Sequence, residues 1–245
     1  MSATPSLKIV NISKRFSGLK ALENVGFDVA EGSIAGIMGA NGAGKTTLFS
    51  IIAGNNTPDS GEILLKGRSL VGKRPDQVCR EGIARTFQIV RPFGGLTVLE
   101  NVVTAAIFGS HQNAGRNEAI ETAIRVLQEV DLIEQRNAKA AELTLSNQKR
   151  LEVARAVATG PTVLLLDEVM AGLTAVEVNR MLEIIENLKR SRNLTILVIE
   201  HVMQALMRLS DKIIVLDLGE VVAEGTPDQI RINPKVHEIY FGKAI

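Results

Sequence analysis

The spacing of hydrophobic residues divides the chain into three stretches. Up to about residue 90, short apolar or alternating runs (LKIVNI, GFDVA, SIAGIM and EILLKG) are separated by turn signals such as Pro58-Asp59-Ser60-Gly61. Runs of this length between glycine- and proline-containing turns predict β-strands. The segment KTTLFSIIAG, which follows SIAGIM after a glycine-rich loop, predicts a helix with Gly54 as its C-cap.

The middle of the chain, from about Val98 to Gly160, has helical spacing, and no segment in it shows strand periodicity. Two sets of apolar residues lie three or four residues apart: Ile120, Ile124, Leu127 and Val130 in the first, and Leu151, Ala154 and Val157 in the second. The pattern therefore predicts a helical block at about residues 91–159, inserted between two stretches that contain strands.

After this block, strand and helix patterns alternate. TVLLLD, LTILVI and KIIVLD predict buried strands, and AVEVNRMLEIIENLKR and VMQALMRL predict helices between them. Such alternation favours a largely parallel sheet flanked by helices, so the predicted fold class is α/β. Thr226 and Pro227 are typical of the N-cap and first turn of a helix, and they predict a last short helix.

Composition and charge limit the classes of function. The 245 residues carry 28 Lys and Arg against 27 Asp and Glu, and this net charge of +1 argues against a nucleic-acid-binding surface. The single cysteine, Cys79, excludes a disulfide framework and is typical of a reducing compartment. The first residues lack the apolar core of an export signal, and no apolar run is long enough to span a membrane. We expect a cytoplasmic protein that can sit on a membrane protein.

Candidate chemistry begins in the loop after SIAGIM. Residues 39–47, GANGAGKTT, fit the pattern G-x-x-x-x-G-K-[ST] between a strand and a helix, which is the context of a phosphate-binding loop. In such a loop, backbone N–H groups surround phosphate oxygens, the lysine meets the β- and γ-phosphates, and the following hydroxyl binds Mg²⁺. The predicted nucleotide contacts are Gly39, Asn41, Gly42, Ala43, Gly44, Lys45, Thr46 and Thr47, with Thr46 also a metal ligand.

Two acids at a strand end supply the second part of the candidate chemistry. TVLLLD ends at Asp167 and is followed by Glu168, so that Asp167 can hold Mg²⁺ and Glu168 can accept a proton from an attacking water. Alone, these acids are equally typical of helix capping after a strand. The phosphate loop in the same chain favours the catalytic interpretation.

Two further polar residues also follow strands. His201 comes just after LTILVI, at the edge where α/β sheets bind ligands, and Gln88 follows an apparent strand at the border of the helical block. A single histidine or glutamine in such a place is more often structural than catalytic. Neither residue indicates a function by itself.

Together these motifs resemble, in their order, those of ABC transporter ATP-binding subunits. The order is phosphate loop, glutamine loop at Gln88, helical subdomain, signature, Walker B at Asp167 and switch histidine at His201. The resemblance implies that Glu168, His201 and Gln88 act in catalysis and that Gln88 also binds the metal. It implies that Phe16 stacks on adenine.

The same resemblance implies a fold and a domain organisation. The expected fold is a P-loop NTPase (RecA-like) core with a largely parallel sheet, an N-terminal antiparallel β portion and the inserted helical subdomain. One nucleotide-binding domain would cover residues 1–245, with residues 1–90 and 160–245 as its α/β core. The loop 171–174, AGLT, resembles the segment that contacts a partner subunit.

The chain is most similar to the ATP-binding proteins of branched-chain amino-acid uptake. The segments RFSGLKALENVGFDVAEGSIAGIMGANGAGKTT, ARTFQIVRPFGGLTVLENV and VVAEGTPDQIRINPKVHEIYFG carry that resemblance, although importers of urea and other amides look similar. It implies ATP and Mg²⁺ as cofactors and a second ABC ATPase subunit, arranged head to tail in a heterodimer. It also implies membrane permease subunits, an indirectly coupled solute-binding protein, no nucleic acid, and a place on the cytoplasmic face of the membrane.

The stretch LTLSNQKRLEVARA departs from the family signature L-S-x-G-Q-x-x-R-L-E. Alignment on Arg150 places Leu143 and Thr144 at the L-S pair, Ser146 at the glycine and Asn147 at the glutamine. In a head-to-tail dimer this motif completes the partner's ATP site, so we expect Thr144 and Ser146 to bind the partner's nucleotide. A side chain at 146 adds strain if that position needs a positive φ, or pushes the ligand away if the phosphate approaches very closely. Both alternatives predict a weak partner site.

Two other classes of function are compatible with parts of the sequence. The altered signature, together with Val169 where the family usually has proline, fits a regulatory subunit that binds ATP and turns it over slowly. A soluble ABC protein acting on nucleic acid or ribosomes usually has two nucleotide domains or a long coiled-coil insert. This chain has neither, and its charge is balanced.

Overall fold

The structure is a computed structural model that describes residues 6–88, 90–109 and 115–241. Residues 1–5 lie outside the described residues. They belong to the N-terminal segment for which the sequence predicts no export signal. In chain order the elements are β1 (Leu7–Phe16), β2 (Leu19–Val29), β3 (Ile34–Gly39), α1 (Lys45–Ile52), β4 (Ser60–Leu65), β5 (Arg68–Ser69), α2 (Pro75–Arg80), β6 (Ile83–Arg85), α3 (Val98–Phe108), α4 (Arg116–Glu129), α5 (Leu145–Ala158), β7 (Val163–Asp167), α6 (Ala175–Arg192), β8 (Thr195–Ile199), α7 (Met203–Leu209), β9 (Lys212–Asp217), β10 (Glu220–Gly225), α8 (Pro227–Arg231) and α9 (Pro234–Phe241).

The chain forms two compact units, of which the first contains Met1–Pro75 and Thr195–Ile245. Its first layer is an antiparallel sheet with strand order β2-β1-β4-β5, which confirms the strands predicted near the N-terminus. Its second set of strands has the order β10-β9-β3-β8, in which β3 pairs in parallel with both β8 and β9. The strand β3 is buried on both faces, as its continuous apolar run predicts.

The second unit, Asp76–Leu194, contains the parallel pair β6 and β7 together with the helices of the middle block. The described residues between Val98 and Gly160 contain no named strand, as predicted, although an isolated bridge joins Thr97 and Lys139. Helices α3, α4 and α5 pack on one another. In the described parts of the chain, no helix is both long and apolar enough for a membrane crossing.

The buried face of α4 is formed mainly by small side chains. Ala119, Ala123 and Val126 are fully buried beside Leu127, whereas Ile120 and Ile124 are only half-buried. Small side chains let α4 lie close to α3 and α5, and this close approach decides the contact face. The helix predicted from the apolar spacing between Ile120 and Val130 is confirmed.

Helix ends follow local sequence signals closely. Gly54 lies just after α1 with φ 75°, a left-handed conformation that favours glycine at this position. Thr226 caps α8, where its hydroxyl accepts from the Gln229 N–H and Gln229 reaches back in a capping box. The expectation that this is the last helix is wrong, because α9 begins at Pro234.

Candidate active site

The phosphate loop lies between β3 and α1, as predicted. Gly42 and Gly44 have φ values of 83° and 103°, conformations that favour glycine. A Cβ on Gly44 would lie 2.7 Å from both the Ala21 carbonyl oxygen and Leu22 Cδ2, so the loop also needs a small residue there. The backbone conformation of the phosphate loop therefore depends on Gly42 and Gly44.

Lys45 is the first residue of α1 and is almost fully buried. Its Nζ donates to the carbonyl oxygens of Gly39, at 2.7 Å, and Ala40, at 2.9 Å. Its neighbour Thr46 is exposed at the N-terminus of the helix, whose first turn carries no acidic residue. This end of the helix combines a cation, a hydroxyl and the positive end of the helix dipole, which favours a bound anion.

His201 and the phosphate loop follow neighbouring strands of the first unit. Ile37 of β3 pairs with Ile199 of β8 in a parallel ladder, so both strands end at the same edge. His201 comes two residues after Ile199 and is exposed there. The position predicted for it, at the edge where α/β sheets bind ligands, is therefore the observed one.

Phe16 also belongs to the first unit, at the end of β1. Its side chain is 43% exposed, which is unusual for a large apolar ring. The Lys14 ammonium lies 5.4 Å from the ring centroid. The ring is therefore open to solvent and carries a nearby positive charge, which suits stacking on a nucleotide base.

In the second unit, Asp167 ends β7 and is almost completely buried. Its Oδ2 accepts from Arg85 Nη2 at 2.8 Å, and its backbone N–H donates to Thr86 Oγ1 at 3.0 Å. Its Oδ1 is buried and has no hydrogen-bond partner among the residues that the structure describes. An unpaired buried carboxylate oxygen is costly unless a cation or a water completes its shell.

Glu168 and Gln88, which are 80 positions apart in the sequence, meet in the second unit. Gln88 Nε2 donates to Glu168 Oε2 at 2.9 Å. The backbone of Glu168 is left-handed, with φ 51°, a conformation that is strained for a residue with a Cβ. A proline at 169 would restrict residue 168 to extended conformations, whereas the valine that is present leaves this conformation open.

The altered signature forms the start of α5. Thr144 is the N-cap, and its Oγ1 accepts from the Asn147 N–H at 3.4 Å, which agrees with the register that places Thr144 at the family's serine. Asn147 Nδ2 donates to Gln135 Oε1 at 2.7 Å, and its Oδ1 accepts from Arg150 Nη2 at 2.6 Å. Both the Nδ2 and the Oδ1 of Asn147 therefore have hydrogen-bond partners within the chain.

The expected strain at Ser146 is absent. Ser146 is a helical residue outside the positive-φ region, so its Cβ meets no backbone restriction. The pKa of Glu177 is lowered by hydrogen bonds from the Thr174 backbone and side chain and by one from Ser146. The prediction of backbone strain at 146 is therefore wrong, whereas the prediction that the Ser146 side chain comes close to the partner's phosphate stays a prediction.

Replacement of Ser146 by glycine tests this interpretation. We expect Ser146→Gly to lower the free energy of unfolding by about 0.5 kcal/mol, because glycine has a lower helix propensity than serine, and not to raise ATP turnover at the partner's site by relief of strain. Ser146→Ala, which removes only the hydroxyl, is the matched control for the helix. A tenfold gain in turnover with glycine would restore the steric explanation; the measurements are a denaturant titration and an ATPase assay of the complex.

Three buried charged residues near these motifs were not singled out from the sequence: Arg85, Lys149 and Glu152. Arg85 pairs with Asp167, and Lys149 Nζ donates to the Glu168 carbonyl oxygen at 3.0 Å. Burial raises the pKa of Glu152, while the Phe87 N–H and the charges of Arg155 and Lys149 act in the opposite direction. Two sequence signals could have identified these residues. Arg85 ends a short strand, and Lys149 and Glu152 are charges spaced by three in a helix rich in apolar residues.

Comparison with known proteins adds the family. The family model described as ABC transporter matches residues 22–171, and a second one, Branched-chain amino acid ATP-binding cassette transporter, matches residues 220–245. The high-affinity branched-chain amino acid transport ATP-binding protein LivG of Salmonella typhimurium is 39% identical over 98% of this chain and 99% of its own length. The chain belongs to the ABC transporter ATP-binding family. It is an ABC ATPase, as its motif order predicts.

Solved structures of ABC cassettes agree with this fold. The ADP conformation of MJ1267, an ATP-binding cassette of an ABC transporter, matches with a TM-score of 0.86 and 30% identity, over 98% of this ABC ATPase and 99% of that chain. The dimeric structure of the bacterial cassette MJ0796 matches with a TM-score of 0.81 and 27% identity, over 90% of this chain and 98% of that one. The predicted α/β fold of the P-loop NTPase class is confirmed.

Proposed function

We propose that this ABC ATPase energises the uptake of branched-chain amino acids through membrane permease subunits. The observation that carries the proposal is the 39% identity with LivG over nearly the full length of both chains. The branched-chain family model that matches residues 220–245 supports it from the C-terminal end, of which residues 242–245 lie outside the described part. We also propose that the chain lies on the cytoplasmic face of the membrane and is coupled indirectly to a solute-binding protein.

Within this proposal, the nucleotide is ATP held by the phosphate loop, and Phe16 stacks on its adenine. The N–H groups between Gly39 and Thr47 surround the phosphates. The Lys45 ammonium, which meets the Gly39 and Ala40 carbonyls in this structure, turns to the β- and γ-phosphates. Its burial keeps that charge out of water, so its attraction for phosphate oxygens is strong.

Magnesium fits the oxygen groups that these residues supply. The proposed ligands are the hydroxyl of Thr46 and side-chain oxygens of Asp167 and Gln88, all of them hard oxygen donors of the kind Mg²⁺ prefers. The unpartnered buried Oδ1 of Asp167 is the observation that supports this assignment. Bound there, the ion would neutralise negative charge on the phosphates. In the described residues no cluster of three His, Cys, Asp or Glu side chains provides a separate metal site.

Glu168 is the proposed general base, and Gln88 and His201 are proposed to orient it and the γ-phosphate. Glu168 Oε2 accepts from Gln88 Nε2, and a carboxylate is an acceptor group that can take a proton from water. We further propose a head-to-tail heterodimer with a second ABC ATPase, in which Thr144 and Ser146 face the partner's nucleotide. The dimeric structure of the MJ0796 cassette supports a dimer.

Solute uptake in the host tests the transport assignment. In a strain that lacks this chain, we expect uptake of leucine, isoleucine and valine at micromolar concentration to fall to background, with recovery when the chain is supplied again. Urea uptake serves as the matched control and stays unchanged. A loss of urea uptake with normal leucine uptake would assign the chain to an amide importer. Normal uptake of both would contradict the importer role.

A further inference from the structure

One side of α5 carries three charged residues spaced three apart: Lys149, Glu152 and Arg155. Residues at this spacing lie next to one another along a helix. All three contact the backbone of the segment that follows β6, at Phe87, Gln88 and Arg91. We call these three side chains the charged row. Its partners are backbone atoms, so the contacts set the position of that segment whatever its side chains are.

Lys149 is the member of the charged row that lies nearest the start of α5 and contacts Gln88. It is 4% exposed, and its Nζ donates to the Gln88 carbonyl oxygen at 3.1 Å and to the Glu168 carbonyl oxygen at 3.0 Å. A buried ammonium is costly unless hydrogen-bond acceptors compensate it. The ammonium therefore holds together the two peptides whose side chains also meet, through Gln88 Nε2 and Glu168 Oε2.

The other two members fix the segment on either side of Gln88. Glu152 Oε1 accepts from the Phe87 N–H at 2.6 Å. Arg155 Nη1 donates to the Arg91 carbonyl oxygen at 2.9 Å, and its guanidinium lies 4.8 Å from the centroid of the Phe93 ring. The segment around Gln88 is thus tied to α5 before and after the glutamine.

The hydrogen bond from Lys149 stabilises an unusual backbone conformation at Glu168. The residue has a φ of 51°, a left-handed conformation that persists only where the surroundings hold it. The Lys149 ammonium bonds the carbonyl oxygen of this same residue. The direction of the Glu168 carboxylate depends on that backbone conformation, so the hydrogen bond from Lys149 bears on where the proton acceptor points.

We propose that Lys149 is a positioning residue for ATP hydrolysis, which holds Gln88 and Glu168 in their hydrogen-bonded arrangement and ties that arrangement to the signature helix α5. The proposal rests on the roles assigned above to Gln88 and Glu168. It has a mechanical consequence. The first turn of α5 carries the signature that serves the partner's nucleotide. When α5 moves, the buried Lys149 ammonium transmits the movement to Glu168, the general base of this chain's own site.

The first test compares three variants of the full chain in its complex. Lys149→Met keeps the length of the side chain without its donors, and we expect kcat for ATP to fall about tenfold because a charge-assisted hydrogen bond is lost. KM and the Kd for ATP stay within about twofold, since no atom of Lys149 is assigned to nucleotide. Lys149→Arg, which restores the donors, recovers most of the rate. Lys139→Met is the matched control, because Lys139 Nζ also donates to a backbone carbonyl oxygen, that of Gly95, away from both catalytic residues.

A double-mutant cycle separates positioning from general stability. In a Gln88→Ala background, Lys149→Met should lower kcat by less than about threefold, because the arrangement that it holds is already broken. Tenfold losses in both backgrounds would contradict the proposal, as would an unchanged kcat in Lys149→Met. Equal losses in Lys149→Met and Lys139→Met would show a structural role only. If Lys149→Met melts below the assay temperature, Lys149→Gln, which keeps one donor group, takes its place with the same expectation.

The Glu168→Gln variant distinguishes a failure of the proposed function from a failure of the positioning role of Lys149. A native rate in Glu168→Gln would remove the general base from the proposed function, and with it the basis for positioning by Lys149. A strong loss in Glu168→Gln together with a native rate in Lys149→Met would leave the proposed function in place and overturn the positioning role alone.

Discussion

The variant Glu168→Gln is expected to hydrolyse ATP about 10²–10⁴ times more slowly than the native protein in its full complex, because an amide cannot accept the proton of the attacking water. Nucleotide binding should remain, since Glu168 is assigned no contact that holds ATP. The amide keeps one oxygen, so the hydrogen bond from Gln88 Nε2, 2.9 Å long in the native protein, can still form. The ATP-bound dimer should therefore accumulate.

Two measurements check this expectation. Single-turnover hydrolysis reports the chemical step, and gel filtration with ATP reports the accumulated dimer. Glu183→Gln is the matched control, because Glu183 lies on the exposed side of α6 and pairs with Arg180 at the surface; its rate should stay within about twofold of native. A native single-turnover rate in Glu168→Gln would show that another group accepts the proton.

The variant Lys45→Ala is expected to lose hydrolysis and to bind ATP about 10–100 times more weakly, because hydrogen bonds to a charged group are the strong ones. The Nζ of Lys45 is buried in the curve of the phosphate loop, where it meets the Gly39 and Ala40 carbonyls. The fold should persist, since Gly42 and Gly44 shape the loop through their own backbone conformations.

Calorimetric titration with ATP measures the affinity, and a thermal melt reports the fold. Lys66→Ala is the matched control, because Lys66 lies at the surface and pairs with Glu31 at 3.1 Å; its ATP affinity should not change measurably. An unchanged ATP affinity in Lys45→Ala would contradict the nucleotide site at residues 39–47.

Buried charges are the residues that sequence patterns predict least well. Asp167 and Glu168 were identified from a strand end, yet nothing in the sequence paired Asp167 with Arg85, 82 positions away. Lys149 stood in the sequence as an ordinary polar residue of a helix. Its burial follows from the packing of α5 on elements far away in sequence, and periodicity cannot show which distant segment will cover a given face.

The sequence alone determined the local features: the phosphate loop, the β3–loop–α1 order, the cap at Thr226 and the α/β class. These features depend on the backbone conformations of contiguous residues, on glycines that allow positive φ and on apolar periods. Each of them can be recognised from residues that are close together in the sequence. Only the tertiary structure decided the buried face of α4, the pairing of Asp167 with Arg85 and the meeting of Gln88, Glu168 and Lys149. Those contacts join residues many positions apart, and the packing of whole helices selects them from many alternatives of similar composition.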